Sequence, residues 1–325
     1  MTDQHIQRQR PPKDVLDLAH ARREARANRD WSRADELRAE IESAGWRVVD
    51  RGVDFELTPA HGPDVEIGDQ VRYGSSQSVP SRLDEPATTA ASVILTATDW
   101  PDDLDRALQG LARHTPAGSQ IVLVANAPSG DQQSAVEQSQ RTIPGAELEV
   151  VWTSVRLGHA AALNAGIRRA SGAVVILLDS SVEPLGDFVA PLTGALDDPG
   201  VAVTGPWGLR SGDLRHFEEA AAGDVDAIEG YVQGFRRSDY VDRGPLDEHF
   251  RFYRNLDIWW SLVLRDEGVA KDPRRALQLA GLPLQRHEKR EYSSVPPEER
   301  DRLSKRNFYR IIDRFGRRRD LVIAR

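Results

Sequence analysis

From about residue 91 onward, short apolar runs alternate along the chain with longer segments of helical periodicity. The runs at 92–97, 121–125, 148–153 and 173–178 are too short for core helices and are rich in β-branched residues. Such runs are typical of strands buried on both faces, as in parallel sheets. The segments between them are long enough for helices. The pattern therefore predicts an α/β fold with a mostly parallel sheet flanked by helices.

The first ninety residues follow a different pattern. Apolar positions at helical spacing predict two helices between residues 14 and 44, and residues 46–57 alternate enough for a small hairpin. Residues 63–90 carry Gly, Pro, Ser, Thr and Asp without lasting periodicity, which indicates a linker, with a short strand at 65–67 or 70–73 as an alternative. The chain should thus have a helical module at 1–62, a linker at 63–90 and an α/β domain at 91–325.

Composition narrows the classes of function. The 325 residues carry a net charge of −8, which disfavours a general nucleic-acid binder. No run approaches the roughly 20 apolar residues that a membrane span needs, and the polar amino terminus lacks the apolar segment of a secretion signal. The absence of cysteine excludes disulfides and thiolate metal sites. We expect a cytoplasmic protein.

The most informative stretch runs from residue 154 to residue 184. Its apolar run at 173–178 follows a short Ala-rich helix and is itself followed at once by Asp179. In open α/β sheets, ligands bind outside the carboxyl ends of strands, so this carboxylate is well placed for chemistry. The alternative is a generic βα unit in which Asp179 serves only as a cap or a turn residue.

This stretch resembles the core signature of family 2 glycosyltransferases with the GT-A fold, through Gly158, Asn164, Gly166, Gly172, Asp179 and Pro184 in that order. In that family the strand ends in Asp-x-Asp, which holds a divalent cation, Mn²⁺ or Mg²⁺, against the diphosphate of a nucleotide-sugar donor. The resemblance implies that Gly158, Asn164 and Asp179 contact the donor. It also makes Asp179 a metal ligand, with Ser181 at the position of the second Asp, where it weakens the cation site.

Two further donor contacts are implied by the same resemblance. Thr96 lies in the segment 92–98, which matches the family's first strand and its nucleotide-contacting loop. Asn126 matches the Asn of the family's V-D-N turn, although Ala125 replaces the Asp of that turn. A turn residue without a ligand is the alternative for Asn126.

Residues 230–268 resemble the second landmark of the family, and the catalytic carboxylate pair of that landmark aligns with Arg254 and Asn255. An inverting transfer needs a carboxylate to take the proton from the acceptor hydroxyl. The amide of Asn255 has no useful basicity, so Asp257, two residues later, is the predicted base. The alternative for Asp257 is an N-cap of the following helix.

The carboxyl-terminal part adds a predicted ligand and a predicted surface. His287 matches a late His of the family that implies a third metal ligand, and a neutral imidazole suits a divalent ion. A lone structural His is the alternative.

The final helix, 297–315, is amphipathic with a basic face. Residues 297–319 could therefore contact an anionic membrane, at the inner face, near a lipid-linked acceptor. Packing on the catalytic domain is the alternative.

The amino-terminal module carries a second resemblance, to the C-terminal tail domain of cysteinyl-tRNA synthetases, through Asp30, Trp31, Ala34, Asp35, Leu37 and Arg38. That resemblance implies contact with tRNA, and a helical docking module is the alternative. The chain contains nothing like the nucleotide-binding motifs or the zinc ligands of the synthetase, so we do not expect aminoacylation.

Taken together, these features predict transfer of a sugar from a nucleoside-diphosphate sugar to a hydroxyl acceptor, with the inversion that the family implies. Two alternatives stay open. The domain is a degenerate glycosyltransferase that binds a nucleotide or a partner without catalysis, or the chain is an RNA-associated adaptor that acts through residues 14–57. The central expectation is spatial: Asp179, Asp257 and His287 should face one cleft.

Overall fold

The computed structural model describes residues 11–52, 54–97, 99–142 and 147–323. The chain divides into two compact units, Met1–Pro63 and Asp64–Arg325. Thr98, at the end of the predicted nucleotide loop, lies outside the described residues.

The first unit consists of two helices and a hairpin: α1 (Lys13–Ala27), α2 (Trp31–Ser43), β1 (Trp46–Arg51) and β2 (Asp54–Pro59). The predicted helices are therefore present. Apolar side chains of α1, α2 and β1 form a small core that includes Ile41 and Trp46. The nearly buried guanidinium of Arg22 donates to Asp50 at 2.8 Å, which ties α1 to the hairpin.

The second unit is built on a ten-stranded sheet. Its strands are β3 (Val65–Ile67), β4 (Gln70–Tyr73), β5 (Thr89–Ala97), β6 (Gln120–Ala125), β7 (Glu147–Thr153), β8 (Gly172–Leu178), β10 (Val201–Gly205), β13 (Gly223–Val225), β15 (Val232–Arg236) and β16 (Arg275–Gln278). The strand order is β13-β16-β10-β15-β8-β5-β6-β7-β4-β3. The five strands from β8 to β4 run parallel to one another. The predicted α/β fold with a mostly parallel sheet is confirmed.

Two smaller sheets complete the strand inventory. β9 (Val182–Pro184) pairs antiparallel with β17 (Leu284–Arg286), and a three-stranded sheet joins β11 (Gly208–Ser211), β12 (Phe217–Glu219) and β14 (Ala227–Ile228). The β9–β17 pair matters for the site, because it brings a late segment of the chain against the residues that follow β8.

Helices cover both faces of the large sheet. They are α3 (Pro101–His114), α4 (Gly130–Thr142), α5 (His159–Ile167), α6 (Val189–Ala195), α7 (Arg237–Arg243), α8 (Leu256–Arg265), α9 (Arg290–Ser293) and α10 (Pro297–Phe315), followed by a 3₁₀ helix (Arg319–Leu321). Alternate strand residues enter two separate cores: Ile94 packs with α5 and α8, whereas Leu95 packs with α3 and α6. Burial on both faces explains why these strands are continuous apolar runs.

The stretch that we predicted as a linker, 63–90, contributes β3 and β4 to the large sheet, with Arg72 of β4 opposite Trp152 of β7. Val79 is fully buried, and the guanidinium of Arg237 donates to the carbonyls of Arg82 and Glu85. Strands of three or four residues at a sheet edge carry too few apolar positions to show the alternation typical of a strand. For this reason the sequence pattern indicates a linker here.

Helix α10 has the bounds that the sequence predicts, 297–315. Its apolar face packs on α8, where the rings of Phe315 and Trp259 lie 5.4 Å apart and Ile311 is fully buried. This is the packing that the sequence left as the alternative to membrane contact. Among the described residues, no helix combines the length and the apolar character that crossing a membrane requires.

Candidate functional site

The site lies where the strand order of the sheet reverses. From β5 the chain moves outward through β6 and β7 and then returns to β8 on the opposite side of β5. A crevice forms at the carboxyl ends of strands at such a point, and open α/β sheets bind their ligands there. Asp179 directly follows β8, and Thr96 lies near the end of β5. The hydroxyl of Thr96 is buried without a hydrogen-bond partner in the described part of the chain.

Asp179 is the most heavily engaged carboxylate of this crevice. Its Oδ2 lies 2.5 Å from the Nζ of Lys289, and its Oδ1 accepts hydrogen bonds from the hydroxyl and the backbone N–H of Ser181 at 2.5 and 2.9 Å. Burial raises the pKa of Asp179, but the charge of Lys289 and these hydrogen bonds together outweigh it and hold the pKa below its usual value. Asp179 is therefore ionised at neutral pH.

Lys289 reaches Asp179 because of the β9–β17 pairing. Arg286 of β17 lies opposite Val182 of β9, and the next residue, His287, donates its backbone N–H to the carbonyl of Ser181 at 2.8 Å. Two residues later the ammonium group of Lys289 lies 3.8 Å from the centroid of the Tyr253 ring and 5.4 Å from that of Tyr231. A carboxylate and two aromatic faces thus hold this cation.

The depression at Asp179 is polar and carries both signs of charge. It is lined by Trp100, Asp103, Asp179, Ser180, Ser181, Lys289, Arg290 and Glu291. Arg290 lies 3.6 Å from Asp103, and burial raises the pKa of Glu291. Each of the two cations lies beside a carboxylate: Lys289 beside Asp179, and Arg290 beside Asp103.

His159, the first residue of α5, faces the same charges. Burial and the positive charge of Lys289 lower the pKa of His159 to about 3, although the charge of Asp179 acts in the opposite direction. Its ring lies edge-to-face with Tyr253, 6.1 Å between centroids. At neutral pH the imidazole is therefore uncharged.

Gly158, a predicted donor contact, shapes the start of α5. A Cβ at this position would lie 2.9 Å from the Cα of Arg251, so only glycine allows this close approach. The approach lets the first helical N–H groups, those of His159 and Ala160, donate to the carbonyls of Arg251 and Phe250. The helix terminus is thus paired with backbone.

Asp257, the predicted base, lies in the first turn of α8 at the same edge of the sheet. The helix begins at Leu256, so the capping alternative does not describe Asp257. Its Oδ2 accepts from the N–H of Gly230 at 2.9 Å, and its Oδ1 accepts from the N–H of Ile258 at 3.0 Å. Burial raises the pKa of Asp257 against the effect of these hydrogen bonds.

Backbone contacts connect Asp257 to Asp179. Tyr231, which follows Gly230, accepts a hydrogen bond at its carbonyl from the N–H of Asp179 at 2.9 Å. The charge of Lys289 favours the ionised form of both carboxyl groups, although burial outweighs it at Asp257 and raises the pKa of that group. Asp179 and Asp257 are thus linked through the backbone of Gly230 and Tyr231. That both side chains face one cleft stays a prediction.

His287, the third side chain expected to face the cleft, has a different partner. Its backbone lies beside Ser181, but its imidazole Nε2 lies 2.8 Å from Oε2 of Glu183. Across the described ranges, no three His, Asp or Glu side chains are arranged to hold a metal ion. The predicted ligand set of Asp179, Ser181 and His287 is thus not assembled: Ser181 donates to Asp179, and His287 pairs with Glu183.

Asn255, aligned with the family's catalytic position, points away from the crevice. It adopts the left-handed conformation with φ +70° immediately before α8, and its Nδ2 donates to the carbonyl of Ser304 in α10 at 3.0 Å. Its amide therefore helps to hold α10.

Asn164 and Asn126 are also engaged within the protein. The buried amide of Asn164 donates to the carbonyl of Leu246 at 2.9 Å and accepts from the hydroxyl of Tyr240 at 2.9 Å. Asn126 exchanges two hydrogen bonds with the backbone of Leu157, at 3.0 and 2.8 Å. These contacts fix the loops on either side of α5. A direct donor contact of either amide stays a prediction.

An aromatic pair beside the crevice was not among the predicted site residues. The rings of Trp207 and Tyr231 lie 5.7 Å apart, and the guanidinium of Arg286 stacks at 4.7 and 5.1 Å from their centroids. By contrast, Trp259 and Trp260, on α8, are buried in the core. The Gly-Pro-Trp-Gly turn at 205–208 is a local signal for an aromatic side chain near the surface, but the partners of Trp207 come from distant segments, so the sequence does not predict the pair.

Comparison with known proteins agrees with this architecture. The family model described as "Glycosyl transferase family 2" matches residues 92–254. No curated protein matches the chain. Among solved structures, the mannosyltransferase PcManGT from Pyrobaculum calidifontis, in complex with GDP-Man and Mn²⁺, is similar over 75% of this chain and 77% of its own, with a TM-score of 0.51 and 19% identity.

A second solved structure, GalNAc-T7 with UDP, GalNAc and Mn²⁺, is similar over 69% of this chain, with a TM-score of 0.55 and 16% identity. The match covers 48% of that chain, so the shared part is about half of it. At these identities, both similarities show a common fold.

The lowered pKa of His159 is testable by NMR. Because burial and Lys289 disfavour the imidazolium, the His159 signal, assigned by its loss in His159→Gln, should not titrate between about pH 8 and pH 5. In Lys289→Met the charge that lowers the pKa of His159 is gone, so the midpoint should rise. Lys305→Met, an exposed position on α10, is the control and should leave it unchanged. A wild-type His159 midpoint near the ordinary histidine pKa would contradict the described burial of His159 beside Lys289.

Proposed function

The chain belongs to glycosyl transferase family 2, and from this premise we propose that it transfers a sugar from a nucleoside-diphosphate sugar to a hydroxyl acceptor with inversion at the anomeric carbon. The observation that carries the proposal is the position of Asp179. It lies within the matched region, at the carboxyl end of β8 and beside the point where the strand order reverses. The nucleotides in the two similar structures, GDP-Man and UDP, support a nucleotide-linked donor.

In the proposed reaction, the acceptor oxygen attacks the anomeric carbon as the bond from that carbon to the diphosphate oxygen breaks. The hydroxyl proton passes to the carboxylate of Asp257, and the nucleoside diphosphate leaves with the bonding electrons. A raised pKa suits Asp257 to this role, because a base close to the working pH transfers protons most effectively.

The family implies a divalent cation at the diphosphate, but the residues of this chain do not fit one. Oδ1 of Asp179 is taken by Ser181 and Oδ2 by Lys289, while the imidazole of His287 pairs with Glu183. A cation at this point would have to displace the ammonium group of Lys289 to gain a single carboxylate ligand.

For the first unit, contact with tRNA stays a prediction. Its charge pattern gives that prediction little support, because Arg22, Arg33 and Arg51 all form ion pairs within the unit. Arginines paired in this way are less available to phosphate groups. Filter binding of the full chain to tRNA decides the question: no retention at low salt would remove the adaptor alternative.

The donor class is tested by thermal unfolding. A nucleoside-diphosphate sugar that binds the folded state should raise the melting temperature of the full chain, corresponding to about 2.7 kcal/mol at a hundred times its dissociation constant. A panel of UDP-sugars and GDP-sugars is compared with the free sugars, which lack the diphosphate and should give no shift. If no nucleotide sugar shifts the transition, the proposed function is wrong. A shift without turnover would indicate the degenerate alternative.

The base is tested with Asp257→Asn, which keeps the shape of the side chain and removes its basicity. Donor hydrolysis or transfer should fall about 10²- to 10⁴-fold while donor binding is retained. Because the pKa of Asp257 is raised, the wild-type rate should decline on the acid side at a pH above the ordinary Asp value as the carboxylate becomes protonated. Asp242→Asn, at an exposed position of α7, is the control. Unchanged turnover in Asp257→Asn would exclude this base.

A further inference from the structure

The contact between Lys289 and Asp179 occupies the point at which the family implies a metal ion. We propose that the ammonium group of Lys289 takes the place of the divalent cation and neutralises the donor diphosphate, so that donor binding is metal-independent, a role that rests on the proposed function. The observation that carries this proposal is the 2.5 Å contact between Nζ of Lys289 and Oδ2 of Asp179.

Burial makes this contact more than a surface ion pair. The side chains of Lys289 and Asp179 are only 10% and 12% exposed. Surface pairs contribute little because water screens them, whereas a pair at this depth persists only where other contacts replace the lost water. Here the two hydrogen bonds from Ser181 replace water around the carboxylate, and the faces of Tyr231 and Tyr253 replace it around the ammonium group.

The net charge of the three groups around Asp179 equals that of the metal site which the family signature implies. Two carboxylates and a divalent cation, the arrangement that the Asp-x-Asp signature implies, sum to zero. One carboxylate at Asp179, a neutral hydroxyl at Ser181 and one ammonium group at Lys289 also sum to zero. The loss of the second Asp and the gain of a monovalent cation therefore compensate each other. A divalent ion added beside Lys289 would instead meet a like charge and one shared carboxylate.

Lys289 also retains donors for a ligand. An ammonium group has three N–H donors, and Asp179 accepts from one of them. The tyrosine rings interact with the positive charge of Lys289 and are not conventional hydrogen-bond acceptors. Lys289 lines the depression together with Arg290, which lies at its rim with a side chain that is 42% exposed. The diphosphate of a donor placed there meets the ammonium group of Lys289 and the guanidinium of Arg290, which lies 3.6 Å from Asp103.

The decisive measurement is calorimetric titration of the wild-type full chain with UDP and with GDP, in EDTA and in excess Mn²⁺. The dissociation constant of the nucleotide that binds should agree within about threefold between the two conditions. Tightening by about tenfold or more with Mn²⁺, or binding only with Mn²⁺, would overturn the metal-independent site while leaving the proposed function intact. Failure of both nucleotides to bind in either condition would overturn the proposed function as well.

Variants then assign the effect to the side chain. Lys289→Met should weaken nucleotide binding in EDTA by about 10- to 100-fold, because a charge-assisted hydrogen bond is lost. Lys305→Met, which removes an exposed lysine of α10, is the matched control and should bind as wild type does. Equal binding by Lys289→Met and wild type would contradict the role of Lys289.

A double variant tests the exchange of charges directly. Ser181→Asp combined with Lys289→Ser rebuilds the Asp-x-Asp pattern and removes the ammonium group, so nucleotide binding should become dependent on Mn²⁺. Circular dichroism establishes whether each variant is folded. The wild-type titration in EDTA decides the proposal even where a variant does not fold.

Discussion

The candidate site depends on one buried ion pair, that between Asp179 and Lys289. Burial penalises both charges, and the pair persists because Ser181 supplies two hydrogen bonds and two tyrosine rings enclose the ammonium group. Removing one partner leaves an uncompensated charge on a largely buried side chain. The pair also joins two segments that are far apart in sequence, the loop after β8 and the segment after β17.

The sequence predicted the parts of this arrangement that follow from local periodicity. Strand β8 could be predicted because its residues form an unbroken apolar run, which is typical of a strand buried on both faces. Asp179 could be placed because it directly follows that run. The bounds of α10 also followed from a long amphipathic period. Lys289 could not be placed in this way, because its position depends on β9 and β17, two strands of three residues each, which show no period. One signal was available: Lys289 is one of only four lysines in an arginine-rich chain.

Several residues that match the family signature serve the fold in this chain. Asn164 joins Tyr240 to Leu246, Asn126 fixes the loop before α5, and Gly158 allows α5 to start against Arg251. A buried amide needs partners for its donors and its acceptor, and backbone groups of a nearby loop satisfy that need as well as a ligand does. Sequence spacing specifies where such an amide lies. It does not specify whether a backbone group or a ligand will be the hydrogen-bond partner of the amide.

A fixed ammonium group and a bound metal ion solve the same electrostatic problem at different costs. A metal ion supplies twice the charge but must be captured from solution, whereas Lys289 is already oriented by Asp179, Tyr231 and Tyr253. Charge that is oriented before the leaving diphosphate develops its full negative charge needs no rearrangement during the reaction. The compact ammonium group lies only 3.8 Å from the Tyr253 centroid and points a single charge at one carboxylate oxygen. The planar fork of arginine would not reproduce that geometry, and this explains a lysine at this position in a chain that otherwise uses arginine.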